Sequence, residues 1–231
     1  MWRFALPLVV LAVPAWAQEK TFDFVGVDSI DARNGVTVNV VPGDEISIVA
    51  VARTGDVDQV DIRKFGSWLA INRHTRWFIF PYGRTDEIVV TVTLPELRNI
   101  KAFDTAMATA AGFAGDSLRI EALQGGTVDV TDIDVSDVIL NASEGGELTV
   151  TGTCGTAIAE AQYDAQINAA ELACDNVAAT ARSGARLSAF ASVLASQDDE
   201  GGEVTLDGAP EIVEFLPGLE PDTAEDAPSE G

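Results

Sequence analysis

Apolar and polar residues take turns along most of this chain, with a period of two. "VTVNVVPGDEISIVAVA" (36–52) alternates, breaks at Pro42-Gly43-Asp44 and alternates again, which predicts a β-hairpin. "IVVTVTLPEL" (88–97) predicts another strand, ended by Pro95. Between them, "FGSWLAINRHTRWFIFPYGRTDE" has strand-like halves on either side of residues 72–76, with His74 at the expected tip.

From about residue 100 the alternation acquires a second, longer period. Gly126, Gly146, Ala165, Ala185 and Gly202 act as markers, with intervals of 20, 19, 20 and 17 residues. Two positions after each stand Val128, Leu148, Ile167, Leu187 and Val204; four after stand Val130, Val150, Ala169, Ala189 and Leu206. Eight, six and four positions before the first four markers lie the triplets Leu118/Ile120/Ala122, Val138/Leu140/Ala142, Ala157/Ala159/Ala161 and Val177/Ala179/Ala181. A fainter copy sits at Ala106 and Ala108.

Two short strands per unit of about twenty residues predict an all-β chain containing a parallel β-helix, or solenoid. Each coil would lie about 4.8 Å from the next, and the stack would bury inner faces that one coil cannot bury alone. Helix propensity alone would make "GTAIAEAQYDAQINAAELAC" and "NVAATARSGARLSAFASVLAS" helical. Their apolar residues nevertheless alternate in register with β-branched neighbours, and periodicity outranks propensity. Solenoid coils are predicted over residues 101–215, preceded by a β-rich part (18–100) packed on the solenoid. The final unit, "SQDDEGGEVTLDGAP", is short and charged, as suits an end that must not stack further.

Cys154 and Cys174 each stand eleven residues before a marker, so the register places one above the other on neighbouring coils. Stacked strands fall inside the Cα window of a disulfide. A Cys154–Cys174 bridge is expected, with two buried free thiols as the alternative.

The ends have a different texture. Arg3, the apolar run 4–13 and Ala15-Trp16-Ala17 form a signal peptide pattern over 1–17, too short to span a bilayer. Residues 216–231 are acidic, contain proline and lack periodicity, so they are expected to be disordered. An exported protein, periplasmic or extracellular, agrees with a single cysteine pair. The formal net charge of −23 repels phosphate backbones, which argues against nucleic acid as a partner.

Chemistry-bearing residues are few. His74 is the only histidine, so any nucleophile–histidine site would need it. No nucleotide-binding, hydrolase-elbow or zinc pattern occurs, and no cofactor is implied. Asp129, Asp132, Asp134 and Asp137 are the densest carboxylate run, a candidate for a cation or simply solvated outer positions. Trp68, Trp77, Phe78, Phe80 and Tyr82 cluster around "WFIFPY", where they would either close the open end of the solenoid or contact a partner.

Taken together, "FDFVGVDSIDARNGVTVNVVPGD", "VVTVTLPELRNI", the repeated small-residue markers and "GGEVTLDGAP" resemble a bacterial family. That family is the "putative auto-transporter adhesin head", or GIN domain, a domain of unknown function. The resemblance runs from Phe22 to about Pro210, although Ala165 and Ala185 replace the glycines usual at the markers. It implies an exported, right-handed β-solenoid with an adhesin-like, non-enzymatic role, presenting a surface to an envelope protein or glycan. It supplies no catalytic residue. A carbohydrate-active β-helix enzyme and an envelope signalling accessory domain are the alternatives.

Overall fold

The computed structural model describes residues 18–74 and 87–213. The expected leader (1–17), the aromatics Trp77, Phe78, Phe80 and Tyr82, and the acidic tail (216–231) lie outside the described residues.

Short alternating segments form the first strands: β1 (Gln18–Phe22), β2 (Ser29–Arg33), β3 (Thr37–Pro42), β4 (Ser47–Ala52), β5 (Val60–Phe65), β6 (Trp68–Arg73) and β7 (Ile88–Leu94). They are followed by β8 (Asn99–Phe103), β9 (Met107–Ala111) and β10 (Ala114–Leu123). The long strands β11 (Thr127–Ser143), β12 (Glu147–Gln162), β13 (Gln166–Arg182) and β14 (Arg186–Asp198) come next, and β15 (Glu203–Gly208) and β16 (Glu211–Ile212) end the series. The Ala-rich stretches are therefore strand rather than helix. The long strands each run around corners within one coil, and the whole is a β-solenoid of about six turns with coils of roughly 20 residues.

Burial along β11 shows the shape of a coil. Val128 and Val130 point inward, then Ile133 and Val135, then Val138, Leu140 and Ala142. Thr131-Asp132 and Ser136-Asp137 break the alternation by both facing out, so they mark corners. The third corner is the tight turn at Glu144 and Gly145, both at positive φ (53° and 72°). A coil thus has three sides, and a marker residue closes each tight turn, buried at Gly126, Gly146, Ala165 and Ala185.

Register pairing stacks like on like inside the barrel. Ile30, Ile100, Ile120 and Leu140 form one inner column, continued by Ala159 and Ala179. Beside it runs an unbroken column of alanines, Ala32, Ala102, Ala122, Ala142, Ala161 and Ala181, all buried. At the next corner the backbones come in close: a Cβ on Gly126 would run into the Ala102 carbonyl of the preceding coil. One rung outward from Ala32 the column continues with the larger, buried Ile71.

The 19-residue interval has a local cause. Val130 pairs with Val150, but Ile133 pairs with Gly152, so the coil starting at Gly146 loses one residue at its first corner. Gly152 takes φ 133°, and a Cβ there would strike the backbone of Ile133.

Two features of the N-terminal part differ from the sequence reading. The β3–β4 hairpin does not form: β7 lies between these strands, parallel to β3 and antiparallel to β4. The reason is that β3 belongs to the stack and offers both edges to parallel neighbours, β7 and β9. The turn after β3 instead ties to β7 through the Gly43 N–H, which donates to the Leu94 carbonyl (3.0 Å). Secondly, β2 and β3 form a coil directly on β8 and β9, so the parallel stack begins well before residue 100.

The next rung outward is made by later residues, with β6 parallel to β2 and β7 parallel to β3. Antiparallel strands complete this end: β5 on β6, β4 on β7 and β1 on β4. Charged residues on the outermost strands, such as Lys20 and Arg63, discourage further strand addition.

Candidate functional site

Inward residues two and four positions after each marker force those one and three positions after it to face solvent. Stacking turns them into two parallel outer columns. Thr127, Glu147, Gln166, Arg186 and Glu203 form one; Asp129, Thr149, Asn168, Ser188 and Thr205 form the other. Over the last four rungs the columns wall an open groove of about 510 Å³. Leu148, Ile167 and Leu187 pass beneath it with their side chains buried, so its floor is backbone.

The second column continues toward the N-terminal end through Thr109, Asn39 and Thr91. Neighbouring rungs hold one another in place: Thr109 Oγ1 donates to Asn39 Oδ1 (2.9 Å), and Ser188 Oγ donates to Asn168 Oδ1 (3.1 Å). In the first column Arg186 Nε lies 3.7 Å from Glu203 Oε2. Nothing in the sequence motifs signals this groove. The signal available was the pair of outward positions flanking each inward one, read coil by coil.

A second outer side, carried by β2, β8 and β10, holds a stripe of mixed charge. Arg33 Nε donates to both oxygens of the buried Asp31 carboxylate (2.9 Å each). That hydrogen bond is the main cause raising the Arg33 pKa above its already high ordinary value, against the opposing effect of burial. Lys101 Nζ and Arg119 Nη1 each lie 3.7 Å from the carboxylate of Glu121.

The residues singled out in the sequence disperse. Asp129 is on the groove side, Asp132 and Asp137 occupy two different corners, and Asp134 Oδ1 on the third side accepts from Thr153 Oγ1 (2.9 Å). Among the described residues no group of three or more His, Cys, Asp or Glu could hold a metal ion. His74 is exposed, with Nε2 3.7 Å from Asp61 Oδ2. Trp68 is half-buried in β6 opposite Phe65, which is 63% exposed. Cys154 and Cys174 are register partners, buried and joined as a disulfide.

The profile of a bacterial family described as "Putative auto-transporter adhesin, head GIN domain" matches residues 26–210. The chain belongs to this family. Solved structures share the GIN domain fold. One from Bacteroides fragilis, described as a putative adhesin, is 14% identical, with a TM-score of 0.71 over 85% of this chain and 96% of that one. A putative adhesin from Parabacteroides distasonis is 12% identical, with a TM-score of 0.61 over 87% and 95%. A protein of that organism described as a putative lipid binding protein is 13% identical, with a TM-score of 0.56 over 86% and 97%. No curated protein matches the chain. Among the described residues of this GIN domain, no helix is long and apolar enough to cross a membrane.

Proposed function

We propose that this GIN domain is an exported, non-enzymatic binding module of the bacterial cell envelope, periplasmic or extracellular, with residues 1–17 as leader and 216–231 as a disordered acidic tail. The observation that carries this reading is the groove: an ordered, solvent-facing polar surface that the core does not need. Its two glutamates, Glu147 and Glu203, stand three rungs apart, about 14 Å at strand spacing. Paired carboxylates of glycoside hydrolysis stand about 5–9.5 Å apart, so the groove favours holding a ligand over cleaving it. The disulfide suits an oxidising compartment. The aromatics Trp68, Trp77, Phe78, Phe80 and Tyr82 are proposed as a second contact patch, supported by the exposure of Phe65 beside Trp68.

The test is saturable binding of the labelled mature protein to envelope fractions, with a parallel assay for new reducing or unsaturated ends on a polysaccharide panel. Saturable binding without cleavage is expected. Absence of saturable binding overturns the reading, and reproducible release of ends replaces it with the enzyme alternative.

A further inference from the structure

Building on the binding-module reading, we propose that the groove holds an extended polysaccharide without acidic groups, lying along the axis of the stack. Both walls are columns of register-paired residues, so the groove runs perpendicular to the strands and parallel to that axis. Four rungs span about 14 Å, room for a few linked units of a linear chain.

The chemistry of the walls selects the class of occupant. One wall offers carboxylates at Glu147 and Glu203, the Gln166 amide and the Arg186 guanidinium. The other offers the hydroxyls of Thr149, Ser188 and Thr205 and the Asn168 amide. Donors and acceptors therefore alternate on a scale of a few ångströms. Sugar hydroxyls, each able to donate and accept, can satisfy both kinds at once.

A protein partner would be expected to find aromatic, Met or Arg anchors in desolvated pockets. Here the apolar side chains lie beneath the floor, and the one arginine is already shared with Glu203. Charge narrows the class further. Two carboxylates against one guanidinium, on a chain of net charge −23, repel an acidic polymer or an anionic lipid surface. The wall backbone is fixed by the parallel rungs, and Ser188 is tied to Asn168. The ordering cost at binding is therefore confined to side chains, chiefly the exposed Glu147, Gln166, Arg186 and Glu203.

The experiment titrates the full chain against three fluorescently labelled oligosaccharides: N-acetylated chito-oligosaccharide (uncharged), its deacetylated form (amine-bearing) and oligogalacturonate (acidic). Anisotropy should show saturable binding of the first two and none of the third. Gln166→Ala/Asn168→Ala should weaken binding by at least about tenfold. Glu160→Ala/Thr180→Ala, outside the groove, should leave it unchanged. Circular dichroism and the thermal midpoint verify folding, and Arg186→Gln, an exposed single change, replaces the double variant if that variant fails to fold.

The proposal is overturned if the acidic probe binds best, if groove variants bind like wild type, or if no probe binds at about 1 mM. Envelope binding that survives in the groove variants removes the groove alone. Loss of envelope binding by the wild type removes the binding-module reading.

Discussion

Cys154 stands directly on Cys174, one coil apart, with their Cα atoms 4.5 Å from each other and their sulfurs bonded. The bridge closes a loop of 20 residues. In the chain-entropy picture it stabilises the fold by about 3 kcal/mol. Denatured, unreduced protein should therefore show no free thiol on titration. The Cys154→Ser/Cys174→Ser variant should unfold at a clearly lower denaturant midpoint than wild type, with a near-unchanged slope. Two titratable thiols would remove the bridge from the account.

Gly152 is the residue that lets one coil be shorter than its neighbours. Gly152→Ala would put a methyl into the Ile133 backbone at a φ that L-residues avoid. A destabilisation of about 1–3 kcal/mol is expected, read as a shift in the urea midpoint. Gly115 has open space around its Cβ position and a φ outside the left-handed region, so Gly115→Ala should lie within about 0.5 kcal/mol of wild type.

The two inner columns should respond in opposite senses to volume. Leu140→Ala empties a fully buried position between Ile120 and Ala159 and should cost about 2–5 kcal/mol. Ala142→Leu overfills the alanine column next to the tight corner and should cost about 1–3 kcal/mol or more. Thermal or chemical unfolding followed by circular dichroism measures both. A neutral Ala142→Leu would mean that the corner is not closely packed.

Arg33→Met removes the guanidinium that satisfies the buried Asp31 carboxylate. Because the arginine is half exposed and Lys101 stands opposite Asp31, the cost is modest, about 1–2 kcal/mol. Adding Asp31→Asn should recover part of it. A double-mutant cycle with no coupling would show that the pair contributes nothing beyond its separate members.

The repeat from Gly126 to Gly202 made the solenoid legible, because inward positions on a stacked coil must be apolar in every unit. The same register placed Cys154 over Cys174. The coil of β2 and β3 was hidden because its next rung in the chain, β8 and β9, follows only after an inserted segment. Local alternation therefore suggested a β3–β4 hairpin where β7 actually intervenes. The 19-residue interval was visible, but its cause at Gly152 required the pairing of Ile133. The groove was least legible. One outward column repeats small hydroxyl and amide residues, but the other varies, and Gln166 beside Arg186 has meaning only once the coils are stacked.

The rung made by β6 and β7 also sets an order of events in time. Coils from β8 onward can each form on a neighbour about twenty residues away, so the stack can zip as the chain emerges. The strands β2 and β3 have no such option: their partners on both sides, Trp68 to Asn72 and Val89 to Leu94 outward and Asn99 to Ala110 inward, arrive later. The oldest part of the nascent chain thus waits, unpaired, until about residue 110 has emerged. Residues 29–42, with their unpaired strand edges, form the interval in which a holdase or a protease has its best access.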